Sequence, residues 1–184
     1  MKSFNVILTA AVLLVLFLPF GIKAQTQSPA AKVADFEFTD FAGKTRKFSE
    51  FKGKIVLIDF WATWCKPCLA DIPTLKTAYE KYQSKGFEII GMDSETLTGD
   101  EEETPDPEFE AQSFANAQRV IKTRGVTWTQ VNSKSAVPLA KKTFKVTQLP
   151  TKILVDADGN IVARLKEGDN LTEAIDKLFA GQSK

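Results

Sequence analysis

Apolar residues along the chain form short continuous runs separated by stretches with helical spacing. The runs at 54–61 (KIVLIDFW) and 87–93 (FEIIGMD) are almost entirely apolar, which is typical of strands buried on both faces of a parallel sheet. Between them, from about Cys65, four apolar residues recur at helical spacing: Ile72, Leu75, Tyr79 and Tyr82. Strand, helix and strand in this order predict a right-handed βαβ unit. Pro73 lies inside the helical pattern and predicts a kink there.

Two turn signals predict β-hairpins on either side of this unit. In the first, the phenylalanines of FEF alternate with polar residues, Gly43 supplies a turn, and residues 44–48 return. In the second, residues 151–156 (TKILVD) and 160–165 (NIVARL) flank the turn ADG. The second hairpin is the clearer of the two, because both arms are rich in β-branched residues.

The remaining pattern predicts further helices and one short strand. A helix is expected from about Glu108 to Arg124, a strand at VTWTQV and a short helix at SAVPLAKKTF. The last helix begins near Leu171, where apolar residues recur at i, i+3, i+4, i+7 and i+8. Asn170, with Glu173 three residues later, resembles a capping box.

The chain divides into an N-terminal leader and one domain. Residues 1–24 combine a basic start with an apolar run, and Ile22 and Ala24 lie at the −3 and −1 positions of a cleavage site before Gln25. This pattern predicts a cleaved signal peptide, with an uncleaved membrane anchor as the alternative. Residues 25–32 are expected to be a flexible leader, and 33–184 a single domain. Within it, the acidic, proline-containing stretch 94–110 is expected to be a surface insertion, either solvated or in contact with a partner. Export places the protein in a periplasmic or extracellular compartment.

Composition removes several classes of function. The formal net charge is +1 and no aromatic-rich basic stripe is present, so nucleic-acid binding is not expected. The chain has no histidine, which excludes Ser-His-Asp and Cys-His catalysis and histidine-ligated metals. Two cysteines are too few for the usual four-ligand zinc site, so no metal is expected.

The chemistry centres on Cys65 and Cys68, the only cysteines of the chain. A Cys-x-x-Cys pair at the start of a helix places the first thiol at the positive end of the helix dipole, which favours the reactive thiolate. The second thiol lies one turn further on, where it can resolve a mixed disulfide. A purely structural clip is the weaker interpretation, because so short a loop gives little stabilisation. The redox group is the dithiol itself, and no separate cofactor is expected.

Residues around the pair have two interpretations each. Lys66 either favours the thiolate or is an ordinary exposed lysine, and Pro67 stiffens the first turn. Trp64 and Trp61 flank the site and offer an apolar surface to a partner, although Trp61 suits core packing equally well. Asp59 interrupts an apolar strand; if buried and unpaired, its pKa should rise through desolvation, which suits proton transfer with the second thiol. The alternative is that Asp59 lies at a wetter strand end and bonds the backbone.

The segments VLIDFWATWCKPC, LADIP and the later LPT resemble the thioredoxin superfamily. They are most similar to the exported TlpA/ResA-type thiol–disulfide oxidoreductases, which are related to AhpC/TSA proteins. The resemblance covers about residues 33–180. It implies an α/β thioredoxin-like fold, with a central mixed β-sheet flanked by helices and an N-terminal β-hairpin extension.

The resemblance also implies roles for individual residues. Cys65 becomes the nucleophile and Cys68 the resolving thiol. The Leu149–Pro150 bond, which the residues alone leave open as trans or cis, becomes a cis bond opposite the dithiol, with Leu149 offering a docking edge. Asp71 matches an acid that is usually Glu in these relatives, whereas many of them carry Asn where this chain has Asp59. Asp59 and Asp71 are thus two candidate carboxylates for proton transfer at the dithiol.

Function follows from the same resemblance. Exported relatives of this type act as reductases that a membrane electron donor recharges, and their clients are apocytochrome c or other proteins with thiols or disulfides. A monomer is expected. Two alternatives stay open: a peroxiredoxin-like thiol peroxidase, although Ala62 occupies the place of its threonine, and a non-catalytic thioredoxin-like binding domain.

Overall fold

The computed structural model describes residues 31–97 and 106–181. Seven strands lie in this part of the chain: β1 Glu37–Thr39, β2 Thr45–Lys47, β3 Ile55–Trp61, β4 Phe87–Asp93, β5 Thr129–Val131, β6 Thr151–Val155 and β7 Ile161–Lys166. The α-helices are α1 Lys66–Tyr82, α2 Pro107–Arg124, α3 Ser133–Pro138 and α4 Leu171–Gly181. Short 3₁₀ turns cover Phe48–Phe51 and Gln83–Lys85, and a π-helical turn, Leu139–Thr143, extends α3. The predicted elements are all present.

A five-stranded mixed sheet with the order β5-β4-β3-β6-β7 forms the centre of the molecule. β4 runs parallel to β3, as the predicted βαβ unit requires, and β6 runs antiparallel to β3 on its other side. β6 and β7 form the predicted C-terminal hairpin. The N-terminal hairpin β1–β2 is a separate two-stranded sheet. The α/β fold with a central mixed sheet and an N-terminal hairpin is therefore confirmed.

The central strand β3 separates two apolar layers. Val56, Ile58 and Phe60 face the layer that holds the N-terminal hairpin and α3. Ile55 and Leu57 face the opposite layer, which contains α1 and α4. Because side chains alternate along a strand, Asp59 points to the same side as Leu57, toward α1. This alternation places a charged residue under the helix that carries the cysteines.

Helix α1 continues through Pro73. A proline inside a helix removes the N–H that would bond the carbonyl four residues earlier. That carbonyl, of Leu69, accepts a hydrogen bond from the Arg124 guanidinium of α2 instead (Nη1 to O, 3.1 Å). The proline therefore does not end the helix, because a neighbouring helix supplies the missing donor.

Two predicted boundaries need correction. Residues 31–32 were assigned to the flexible leader, but the Ile161 N–H donates to the Ala31 carbonyl (2.8 Å) and Lys32 forms a bridge with Asn160. The domain thus begins two residues earlier, because this backbone pairs beside the β6–β7 turn. The start of the predicted surface insertion is also wrong, since Ser94, Glu95 and Leu97 are buried.

Three predictions fall wholly or partly on residues outside the described ranges. They are the signal peptide or anchor at 1–24, the leader from 25 to 30, and the middle of the acidic insertion from 98 to 105. Within the described ranges, no helix combines the length and apolarity that a membrane crossing needs.

Candidate active site

The two cysteines form a disulfide at the first turn of α1. The Sγ atoms are 2.05 Å apart, and the Cα atoms 5.3 Å. Cys65 is the N-cap residue, and its Sγ accepts a hydrogen bond from the Cys68 backbone N–H (3.3 Å). Pro67 lies in the first turn of the helix, and Lys66 is exposed. A sulfur in this position receives the free N–H groups of the helix start, so a reduced Cys65 is favoured as thiolate.

Asp59 lies beneath the second cysteine. Its residue is 5 % exposed, and it shares with Cys68 a cavity of about 10 Å³ that Ile72 and Gln130 also line. That volume is at the lower limit for one water molecule. Burial raises the pKa of Asp59 above its usual range, and the charge of Asp71 adds to this, although Lys152 opposes it. A carboxyl that binds a proton more readily than an ordinary aspartate therefore faces the resolving thiol.

Lys152 is a buried lysine that sequence reasoning missed. It lies directly opposite Asp59 in the antiparallel β3–β6 pairing, and it is 4 % exposed. Its Nζ is 3.5 Å from Asp59 Oδ1 and 2.6 Å from Asp71 Oδ2. Burial alone lowers the pKa of Lys152, but the two carboxylates outweigh this and raise it. Asp59 is therefore buried, as the first interpretation of the sequence required and not at a wetter strand end, and a buried ammonium lies beside it.

Asp71 lies one helical turn after Cys68 in α1, and it pairs with this lysine. Its side chain is 41 % exposed and bonds the Lys152 ammonium. Relatives in the family that the sequence resembles usually have glutamate at this position. In this chain the shorter aspartate side chain reaches Lys152. The sequence sign of the Asp71–Lys152 ion pair is Lys152 itself, a single charged residue in the otherwise apolar strand β6, two residues after Pro150.

The loop before Cys65 rests on the segment that follows β4. The Thr63 backbone N–H donates to the Glu95 carboxylate, and the Trp64 indole N–H donates to the Glu95 carbonyl (3.0 Å). Ser94 N–H bonds the Trp61 carbonyl (2.8 Å). This support holds Trp64 with its side chain outward, and the residue is 49 % exposed beside the disulfide. Glu95 was missed because it lies near the start of a stretch that is rich in acidic residues.

Asp93, at the end of β4, is a second buried acid close to this loop. It is fully buried, and neither carboxyl oxygen has a hydrogen-bond partner among the described residues. Burial, with a further contribution from the charge of Glu95, raises the pKa of Asp93 to about 8. Two buried aspartates therefore lie in the strands beneath the site, Asp59 inside β3 and Asp93 at the end of β4, and the sequence pattern predicted a role only for Asp59.

The Leu149–Pro150 peptide bond is cis, as the family resemblance implied. Leu149 packs on the cluster formed by Trp61, Ala62, Cys65, Cys68 and Ala117. The cis-proline loop and the dithiol therefore meet on one face. Thr151 follows at the start of β6, and its hydroxyl donates to the Gln148 carbonyl (2.8 Å).

Helix α2 covers another side of the dithiol. Ala117 is fully buried in the dithiol cluster, and Val120, Ile121 and Phe41 pack against it. The Trp61 indole N–H donates to Gln130 Oε1 (3.0 Å), so Trp61 serves core packing. Within residues 31–97 and 106–181, no group of three Cys, Asp or Glu side chains is arranged to hold a metal ion.

Comparison with known proteins agrees with this geometry. Residues 29–175 match the model of the AhpC/TSA family. The thiol-disulfide oxidoreductase ResA of Bacillus cereus is 29 % identical over 178 residues, 94 % of this chain and 89 % of that protein. The same protein of Bacillus anthracis is 30 % identical, over 86 % of this chain and 82 % of its own.

A solved structure extends the likeness to the fold. The solution structure of a thiol:disulfide interchange protein from a Bacteroides species has a TM-score of 0.65 and 27 % identity, covering 85 % of this chain and 93 % of that one. Sequence and fold agree on the same group of proteins. The chain belongs to the AhpC/TSA family, as a thioredoxin-like thiol–disulfide oxidoreductase of the ResA type.

Proposed function

We propose that this oxidoreductase exchanges disulfides with client proteins outside the cytoplasm, with Cys65 as nucleophile and Cys68 as resolving thiol. One observation carries the proposal: the disulfide lies at a helix N-terminus, above a buried carboxyl that shares a cavity with Cys68. The apolar run and small residues of positions 1–24 support export, with cleavage or anchoring as the two possible fates of that segment.

In the reducing direction, the Cys65 thiolate attacks one sulfur of a client disulfide and releases the other as a thiolate. A mixed disulfide then joins Cys65 to the client. Asp59 accepts the proton of Cys68, whose thiolate attacks Cys65 Sγ and releases the second client thiol. The client gains two electrons, and the enzyme's dithiol becomes the Cys65–Cys68 disulfide. Trp64, Leu149 and Pro150 supply the apolar face on which the client segment docks.

We assign the protein to the reductase side. Asp59, a buried acid with a raised pKa beneath Cys68, lies in a segment that resembles thioredoxin itself. Removal of the Cys68 proton is the step that completes the reducing cycle. Because an oxidising compartment does not return electrons to the disulfide, a membrane electron donor would recharge it. Clients of the apocytochrome c kind, with paired cysteines, fit this role.

A trapping experiment tests the assignment of the cysteines. Cys68→Ala should accumulate mixed disulfides between Cys65 and its clients, visible as reductant-sensitive bands. Cys65→Ala should form none and should lose insulin reduction. If Cys65→Ala reduced insulin as fast as the unaltered protein, Cys65 would not be the nucleophile. Rapid consumption of peroxide by the purified protein would instead support the peroxidase alternative.

A redox titration tests the direction of electron flow. A reductase should have a potential near that of thioredoxin, about −270 mV, whereas a strong oxidant would lie near about −120 mV. The titration follows tryptophan fluorescence in glutathione or dithiothreitol buffers, because Trp61 and Trp64 flank the disulfide. A value at the oxidant end would overturn the assignment to the reductase side but not the exchange chemistry.

A further inference from the structure

Lys152 lies between two carboxylates that differ in depth. Asp59 is buried under Cys68, whereas the Asp71 side chain is 41 % exposed at the next turn of α1. The ammonium is nearer to the outer carboxylate, at 2.6 Å, than to the inner one, at 3.5 Å. Asp59 Oδ1, the atom nearest the ammonium, has no hydrogen-bond partner among the described residues. The lysine therefore forms a short ion pair with Asp71 and a longer one with Asp59.

We propose that Lys152 and Asp71 are positioning residues that together set the proton affinity of Asp59, Lys152 by attraction and Asp71 by repulsion and by its ion pair with the ammonium. The inference rests on the proposed role of Asp59 in proton transfer. Because its ammonium lies closer to Asp71 than to Asp59, Lys152 holds Asp59 in place but compensates the Asp59 charge only in part. If the ammonium of Lys152 paired with Asp59 alone, it would stabilise the ionised carboxylate more strongly, and Asp59 would be a weaker base toward Cys68.

The groups that face Asp59 make the prediction specific. From β6 it meets Lys152, and from α1 it meets Cys68 and Asp71. Its neighbour across β4 is Gly91, which brings no charge. Of the charges that act on Asp59, Lys152 favours its ionised form and Asp71 opposes it. Removing the two charges one at a time should thus move the titration of Asp59 in opposite directions.

The experiment follows the ¹³C signal of the Asp59 carboxyl against pH in the oxidised protein, where neither cysteine titrates. In Asp71→Asn the midpoint should move to lower pH, because the amide keeps an oxygen for Lys152 but no charge. In Lys152→Met it should move to higher pH, because the nearest cation is gone. Glu88→Gln is a matched control, since Glu88 pairs with Lys54 (2.8 Å) elsewhere on the sheet, and it should leave Asp59 unchanged.

Shifts in opposite directions would support the proposal, and unmoved midpoints or two shifts of one sign would overturn it. A damaged fold would not give opposite signs. If Lys152→Met does not fold, Asp71→Asn decides alone: a downward shift supports the coupling, and its absence refutes it. Insulin reduction is measured in parallel on the unaltered protein. Failure there would count against the proposed function, whereas the titration reports on the coupling whatever the activity.

Discussion

Replacing Asp93 by asparagine should change how stability depends on pH. Both oxygens of this fully buried carboxyl have no hydrogen-bond partner in the described part of the chain, and its pKa is raised from 3.8 to about 8. Between these two values the carboxyl is protonated in the folded protein and ionised in the unfolded chain. The unfolded state then binds fewer protons than the native state, so stability falls as pH rises through this window.

The size of the effect follows from the same two values. At about 1.4 kcal/mol for each unit of pKa, the difference between 3.8 and about 8 corresponds to an upper limit of about 6 kcal/mol. Asparagine has nearly the same shape and no charge at any pH, so the variant avoids this loss. We expect Asp93→Asn to be similar to the unaltered protein near pH 4 and clearly more stable at pH 8.

Urea unfolding of the oxidised proteins at several values between pH 4 and pH 8 measures the difference. Asp59 also titrates, but it is present in both proteins and cancels in the comparison. Asp158→Asn, at an exposed turn, is the control for loss of one negative charge, and it should not alter the pH dependence. Parallel stability curves for Asp93→Asn and the unaltered protein would refute the argument, because they would mean that Asp93 ionises equally in both states.

Two further substitutions test packing around the site by urea unfolding. In Gly91→Ala, the new Cβ would overlap the side-chain amide of Gln130, which must shift. We expect this shift to break the hydrogen bond from the Trp61 indole N–H, for a loss of about 1–3 kcal/mol; unchanged stability would mean that Gln130 moves without losing that bond. In Arg124→Met, the Leu69 carbonyl loses its donor, with an expected loss of about 1 kcal/mol. No loss there would show that solvent replaces the guanidinium.

The central strands and the position of the dithiol could be predicted because local patterns determine them. Continuous apolar runs specify β3 and β4, and a Cys-x-x-Cys pair before an apolar helical stripe specifies the start of α1. Burial of Asp59 was one of two interpretations of its place in this apolar run, and the structure has it buried. In each case, residues that are adjacent in the sequence determine the type and position of the element.

The contacts of Lys152 and Glu95 could not be predicted in this way. Lys152 meets Asp59 only because β6 pairs with β3 in one antiparallel register, which no local pattern specifies. In another register, the same lysine would be an ordinary strand residue with its ammonium in solvent. Glu95 is buried because the chain turns under the active-site loop, although the surrounding composition is typical of a solvated segment.

The distribution of buried charge explains why these residues matter together. Within the described ranges, the charged residues that are buried are Asp59, Asp93, Glu95 and Lys152, and all four lie at or beside the strands that support the dithiol. Burying such groups is unfavourable, and apolar replacements of buried ion pairs are often neutral or stabilising. Their concentration at one site therefore favours a role in chemistry over a role in stability. A variant that replaced Asp59 and Lys152 together by apolar residues should keep or gain stability while the pH dependence of disulfide exchange loses the contribution of Asp59.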